Sequence, residues 1–467
     1  METSFTKKRV VDVQAFIDGQ RFSKFHWTLF VLCFVMVGLD GLDTGIVGYI
    51  APTLIKDLNV SSASLSPMLS ASLIGIGVGS LLVGPLADRI GRKIMIIGSM
   101  VFIGVFTCAA SFVHSLESLT VMRFLTGIGL GAAMPNTITL MAEYAPTRIR
   151  STVINTMLVG WSVGAASGGW VTAALIQTYG WRSVMLLGGV APLVLVCLLP
   201  LLPESVKYLV VNGRSHKRVV SILTQISPPT RLDDCEFVCK ETTGTVNVKR
   251  FPVMELLSKR YVFGTFMIWI AYFMCLVVLY LISNWLPLLF TGSGFSLRES
   301  AITSSMFQFG GAGGMVLGGW LMDRVGAGRV FSAARAVAFF FILTAVAMLF
   351  VSKSMAHGAW LTVSLIAGGA VLFASSSSMS SLTALFYPTT SRVTGVSWMF
   401  GMGRFGAVAG TFVGALLLST GWSFSSVFGL LSVPAVVAAL ALIALGRSQG
   451  RIDRSSHVIS PAATTER

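Results

Sequence analysis

Two aspartates, Asp40 and Asp43, lie inside the first long apolar stretch of the chain, Trp27–Ile50. Ionisable groups at that depth in a membrane are costly and rare, and they usually face a partner charge or a water-filled path. At a helical spacing of three, the two carboxylates project within roughly 60° of each other. Neighbouring carboxylates away from water hold protons more tightly, so the pair is suited to binding a proton near neutral pH. Two arginines, Arg123 and Arg404, also fall inside apolar spans. A planar guanidinium at such a depth can hold a carboxylate through two hydrogen bonds.

The elements that must position these charges follow from composition. Hydrophobic residues make up 54% of the chain and charged residues 11%, which places it among membrane proteins. About twelve segments are long enough to cross a bilayer of roughly 30 Å. They are 27–50, 67–86, 94–113, 119–142, 151–176, 182–202, 261–290, 300–322, 330–352, 359–383, 393–418 and 423–446. The expected organisation is an N-terminal segment 1–26, a six-helix half 27–202, a central loop 203–260, a second six-helix half 261–446 and a tail 447–467. The expected class is an all-α integral membrane protein of twelve transmembrane helices in two six-helix halves.

The net charge of +15 reads as orientation, not as affinity for nucleic acid. With loops assigned alternately, one side holds only Lys56, Arg182, Arg298 and Lys353. Most of the remaining Lys and Arg lie on the other side, with both termini and the central loop. The positive-inside rule puts that side in the cytoplasm. A polar stretch precedes the full-length first span, so a retained helix is expected in place of a cleaved signal. Cys33, Cys108, Cys197 and Cys275 sit in apolar spans as small hydrophobes. Cys235 and Cys239 lack the further ligands a zinc site needs.

The chain repeats itself. Gly84–Lys93, after the second span, is echoed by Gly318–Arg329 after the eighth. Tyr144–Arg150 is echoed by Tyr387–Arg392, and behind these Gly164 and Gly168 correspond to Gly406 and Gly410. Parallel halves of this kind are a transporter architecture, with the substrate site near the midplane between them. The twin Asp-Arg loops, with Asp88, Arg89 and Arg92 in one and Asp323 and Arg324 in the other, suit a latch whose contacts exist in one conformation and break in another. Glu143, Arg148 and Arg392 belong to the same cytoplasmic gate. No Gly-x-x-x-x-Gly-Lys-Ser/Thr loop occurs, which argues against direct ATP drive.

On these residues the sequence resembles the major facilitator superfamily over nearly its whole length. Gly84–Lys93 looks like that superfamily's most specific motif. The runs Arg123–Gly131, Gly160–Gly169 and Pro203–Leu209 resemble those of its fourth, fifth and sixth spans. Asp40–Asp43, Met134–Asn136, Glu143–Arg148, Asn284–Pro287 and Gly401–Gly406 resemble the aromatic acid:proton symporter family. That resemblance implies import of benzoate-, hydroxybenzoate- or phenoxyacetate-like anions across the bacterial inner membrane, for aromatic catabolism. The second loop copy departs from the pattern, ending Gly326-Ala-Gly-Arg329, so any latch there is expected to be weaker.

An organic anion entering an interior-negative cell is opposed by about 2.3 kcal/mol per charge per 100 mV. A symporter of such anions therefore needs a proton-binding acid and an anion-binding cation. Asp40 and Asp43 are expected to supply the first, and Arg404 and Arg123 the second. Matching depths predict an Asp43–Arg123 interaction, leaving Asp40 the freer proton carrier. Asn136, Trp161, Tyr272, Asn284, Gln308 and Trp398 are candidates for the substrate pocket, with Tyr49, Trp269, Phe307 and Phe400 as further aromatic candidates. The proton gradient serves in place of a cofactor, and the partners expected are a small aromatic acid, protons and the lipid bilayer around a monomer. Import of another organic acid such as muconate, or proton-coupled export of organic anions, suits the same charges. A membrane enzyme or a sensor does not, because no nucleophile constellation, metal spacing or output domain accompanies them.

Overall fold

Apolar runs that must satisfy their own backbone hydrogen bonds in lipid become helices. The computed structural model of the chain describes residues 9–212, 216–227, 235–238, 252–325, 330–355, 358–388 and 391–458. The first four spans are Lys24–Leu58, Ser62–Ile90, Arg92–Ala110 and Leu116–Tyr144. The fifth and sixth share one continuous helical run, Arg150–Val196, interrupted at Gly180, whose φ of 71° only glycine adopts without strain. Gly168 and Gly188, on either side of that break, both approach Ile46, so the chain doubles back there. The seventh to twelfth spans are Val262–Gly292, Leu297–Val325, Val330–Lys353, Gly358–Phe386, Arg392–Ser419 and Phe424–Val458. Leu297–Val325 is less apolar than the others, in keeping with a helix lined by protein on several sides.

Local signals set the ends. Asn59 closes the first span in the left-handed region, at φ 50°, and Ser61 opens the second by accepting from the Ser64 amide. Ser115 caps the fourth span in the same way through Ser118. The first span runs beyond the apolar stretch read from sequence because its polar ends continue the helix past the hydrocarbon.

Short helices fill part of the central loop, at Val206–Val211, His216–Ile226 and Pro252–Leu256. Val219, Leu223 and Ile226 form the buried stripe of the second of these. Sequence reading missed one feature: β1 (Arg9–Asp12) pairs in parallel with β2 (Cys235–Val238), tying the N-terminal segment to the central loop. Cys239, the Gly326–Arg329 ending and much of the central loop and tail lie outside the described residues.

Small residues decide how closely the helices approach. A Cβ on Gly164 would run into the carbonyl oxygen of Gly38, which brings the fifth span onto the first. Gly406 stands in the same relation to Phe273, and Gly410 to Val277, joining the eleventh span to the seventh. The sequence echo between Gly164 and Gly406 is thus one helix crossing built twice. Between the halves, Gly48 packs on Ser283, and Gly169 packs on Ala301 and Ser305. These contacts join the halves near the ends of the spans remote from Lys24 and Val458.

Gly164→Ala is expected to destabilise the fold by about 1–3 kcal/mol through overpacking. Gly98→Ala, where a Cβ meets nothing within 4 Å, is expected to cause no loss. Thermal unfolding of the detergent-purified protein compares the two.

Candidate functional site

Asp43 meets Arg123 as the depth argument expects. Arg123 Nη1 donates to Asp43 Oδ1 at 3.0 Å and Nη2 to Oδ2 at 2.9 Å, with each side chain 1% exposed. Thr107 Oγ1 donates to Asp43 Oδ1 at 3.1 Å, and Arg123 Nη2 also reaches Ser72 Oγ at 3.4 Å. The pair therefore joins four helices of the N-terminal half: the first, second, third and fourth. Arg123 spends both terminal nitrogens on Asp43 and is the counter-charge of that acid in this structure, while its buried Nε has no partner among the described residues. The substrate-carboxylate candidate Arg123 is thus found bonded to Asp43 in this structure. Thr107 and Ser72 complete the cluster and carried no sequence signal, because hydroxyls in spans are common and usually bond within their own helix.

One helical turn away, Asp40 is buried and has a different environment. Its hydroxyl partner is Thr44, and its charged neighbours are Asp43 and Arg404. Arg404 enters from the eleventh span, near the middle of the bundle, and is half-buried. Its Nη2 donates to Ser80 Oγ at 3.1 Å, across the boundary between the halves, and it passes 3.7 Å from a Cβ built on Gly77. Tyr272 and Tyr280 of the seventh span, with Asp40, make up its electrostatic surroundings. Arg404 is thus the cation, and Asp40 the acid, that lie within electrostatic reach of each other across the two halves. Tyr280 and Ser80 belong to this group and were not singled out from sequence; a Tyr or Ser within a long apolar helix gives no hint of which face it takes.

The aromatic candidates pair with one another across helices. Tyr272 meets Phe400 edge-on, with ring centroids 5.6 Å apart. Trp161 lies 5.9 Å from Phe373, and Phe373 in turn 6.2 Å from Phe307. Trp398 stacks on Trp269 at 5.7 Å and 20°, nearer the end that carries the termini. Gln308 Nε2 donates to Ser283 Oγ at 2.9 Å. Tyr49 donates to the Ala165 carbonyl at 3.1 Å.

Two polar candidates are already committed elsewhere. Asn136 Nδ2 donates to the Ala132 carbonyl of its own helix at 2.7 Å. Asn284 Nδ2 donates to Thr411 Oγ1 at 2.9 Å, and Trp285 Nε1 to the Thr411 carbonyl, so that pair joins the seventh span to the eleventh. Both satisfy interhelical or backbone demands that polar groups create inside a bundle.

The gate residues gather mostly at the termini-bearing end of the N-terminal half. Glu143 pairs with Arg92 at 3.1 Å. Arg148 turns toward the N-terminal segment and donates to the Gln20 carbonyl, while Arg150 Nε donates back to the Ala145 carbonyl. Glu204 caps the third span, its Oε1 accepting from the amides of Arg92 at 2.9 Å and Lys93 at 3.2 Å. Tyr208 donates to the Arg89 carbonyl. In the second loop copy, Arg324 lies over the Trp320 ring at 4.0 Å, and Arg392 is exposed. The side chains of Asp88 and Asp323 lie outside the described residues.

Residues 33–376 match the model of the Major Facilitator Superfamily. The chain is 42% identical to a 4-hydroxybenzoate transporter of Acinetobacter baylyi, over 94% of each chain. It is 38% identical to a gallate transporter of Pseudomonas putida, over 94% of this chain and 96% of that one. Among solved structures, the Escherichia coli xylose transporter in a partially occluded inward-open conformation superposes with a TM-score of 0.68. The identity is 17%, covering 90% of this chain and 97% of that one.

Removing one partner of a buried ion pair strands the other, at a cost of about 3–5 kcal/mol. Asp43→Asn is therefore expected to lower thermal stability sharply, and Asp43→Asn combined with Arg123→Gln to recover part of the loss. Melting of the purified variants in detergent reads both.

Proposed function

The chain belongs to the major facilitator superfamily, and from that footing we propose that it imports a small aromatic carboxylate by proton symport through alternating access. Its multi-pass helical fold is that of a membrane transporter and not of an enzyme. The observation that carries the reading is the division of the four intramembrane charges. Asp43 and Arg123 neutralise each other, whereas Asp40 and Arg404 lie within electrostatic reach of each other from opposite halves. The relatives named for 4-hydroxybenzoate and gallate supply the substrate class.

The site residues suit the energetics of anion uptake. Arg404 presents a planar fork to the substrate carboxylate. Asp40, when ionised, competes with that carboxylate for Arg404. A proton on Asp40 removes the competitor and brings in the charge that offsets the membrane potential, about 2.3 kcal/mol per 100 mV. Tyr272, Phe400 and the Trp161–Phe373 wall accept the ring. Rocking of the halves about the first–seventh, second–eleventh and fifth–eighth contacts then carries the filled chamber from one side to the other. We further place the protein in the bacterial inner membrane as a monomer, with both termini cytoplasmic on the strength of the Lys and Arg distribution. In that orientation the closed end, at Gly48 and Ser283, faces the periplasm.

Uptake of a radiolabelled aromatic-acid panel into proteoliposomes tests the reading, and accumulation is expected only with an inward proton gradient. Asp40→Asn is expected to lose that accumulation while still exchanging external for preloaded substrate; full accumulation by the variant would remove Asp40 from coupling. Arg404→Lys keeps the charge but loses the fork, so KM is expected to rise by about tenfold or more. An unchanged KM would send the carboxylate elsewhere.

A further inference from the structure

Building on the reading that Arg404 takes the substrate carboxylate, we propose that Ser80 positions that guanidinium from the opposite half and decides which of its forks the substrate meets. Arg404 Nη2 donates to Ser80 Oγ at 3.1 Å, and among the described residues this is the one hydrogen bond the guanidinium makes. A guanidinium offers a carboxylate two planar forks, Nη1 with Nη2 and Nε with Nη2. Nη1 lies 3.7 Å from a Cβ built on Gly77, three residues before Ser80 on the same face of the second span. The Nη1–Nη2 edge therefore lies along the second span. That leaves the Nε–Nη2 edge for a carboxylate, with Asp40, Tyr272 and Tyr280 as the ionisable groups around it.

Ser80 is set up to accept. Its Oγ donates to the Ile76 carbonyl at 2.7 Å and reaches the Gly131 carbonyl at 3.1 Å, so its single hydroxyl hydrogen is spent on the backbone of the second and fourth spans. Lone pairs are what the oxygen has left, and the Arg404 N–H is the donor that meets them. Gly131 makes the arrangement possible, because a Cβ there would run into the Ile76 carbonyl oxygen and push the fourth span away. The bond joins a second-span hydroxyl to an eleventh-span cation, so the orientation lasts only while those two spans touch. A long side chain held through one N–H has less freedom to lose when a carboxylate docks on its open fork. Ser80 is thus a positioning residue, acting on the substrate through Arg404.

The test is a double-mutant cycle on initial uptake of labelled 4-hydroxybenzoate into proteoliposomes, with melting of each purified variant in detergent beside it. Ser80→Ala deletes the acceptor and adds no bulk. It is expected to raise KM by about tenfold, near the low end for a hydrogen bond to a charged group, while kcat and melting temperature hold. Ser80→Thr keeps the hydroxyl and is expected to restore KM. In an Arg404→Lys background, Ser80→Ala is expected to change KM by less than about twofold, because the fork it positions is gone. The proposal is overturned if Ser80→Ala leaves KM unchanged or lowers it. It is equally overturned if KM, kcat and melting temperature worsen together, or if the full KM rise persists in the Arg404→Lys background, as a merely structural Ser80 would have it. An Arg404→Lys variant of unchanged KM would sink the carboxylate reading beneath the proposal, a result seen without touching Ser80.

Discussion

A charge enclosed by helices in a bilayer must find a counter-charge, and Asp43 finds its own in Arg123 with both oxygens engaged. This pairing shapes the rest of the site. It fixes the first, second, third and fourth spans in one arrangement through Thr107 and Ser72. It also occupies one acid and one base with each other in this structure. What remains is Asp40 on one half and Arg404 on the other, close enough to feel each other and each with spare bonding capacity. The Asp-Gly-Leu-Asp spacing thus sets an arginine-paired carboxylate and one with a hydroxyl partner on neighbouring parts of one helix face.

The second constraint is steric. Gly41 and Gly164 allow the first and fifth spans to touch through their backbones, and Gly406 and Gly410 do the same for the eleventh and seventh. Backbone contact of this kind brings Asp40 and Arg404 toward the molecular centre instead of leaving them on outer faces. The glycines at Gly48 and Gly169 extend the principle to the boundary between halves, where a smooth surface can part and re-form. Rigid crossings within each half and small-residue contacts between them suit a molecule whose halves move as bodies.

At the opposite end, the N-terminal half is closed by its own chain. Glu204 caps the third span, Asp18 accepts from the Thr147 amide, and β1 pairs with β2. The fifth-span entrance, the N-terminal segment and the central loop are thereby tied into one layer. Glu143 and Arg92 sit inside that layer, which makes their ion pair a brace of one half in this conformation.

Sequence alone determined the elements and the inventory. Helices follow from apolar length, orientation from the distribution of Lys and Arg, and the duplicated halves from the Asp-Arg loops and the glycine echoes. The four intramembrane charges were legible because bilayer-depth ionisation is too costly to be incidental. Even the Asp43–Arg123 partnership could be reached, since two helices of known direction place their residues at calculable depths. Tertiary structure alone decided which charge was spent and which was available. Depth gives one coordinate, whereas the face a side chain takes depends on how two helices rotate against each other. That rotation buries Arg123, opens Arg404, commits Asn284 to Thr411, and brings Tyr280 and Ser80 to the site without any local mark in the sequence. Long-range packing sets those angles, and no periodicity within a single span encodes them.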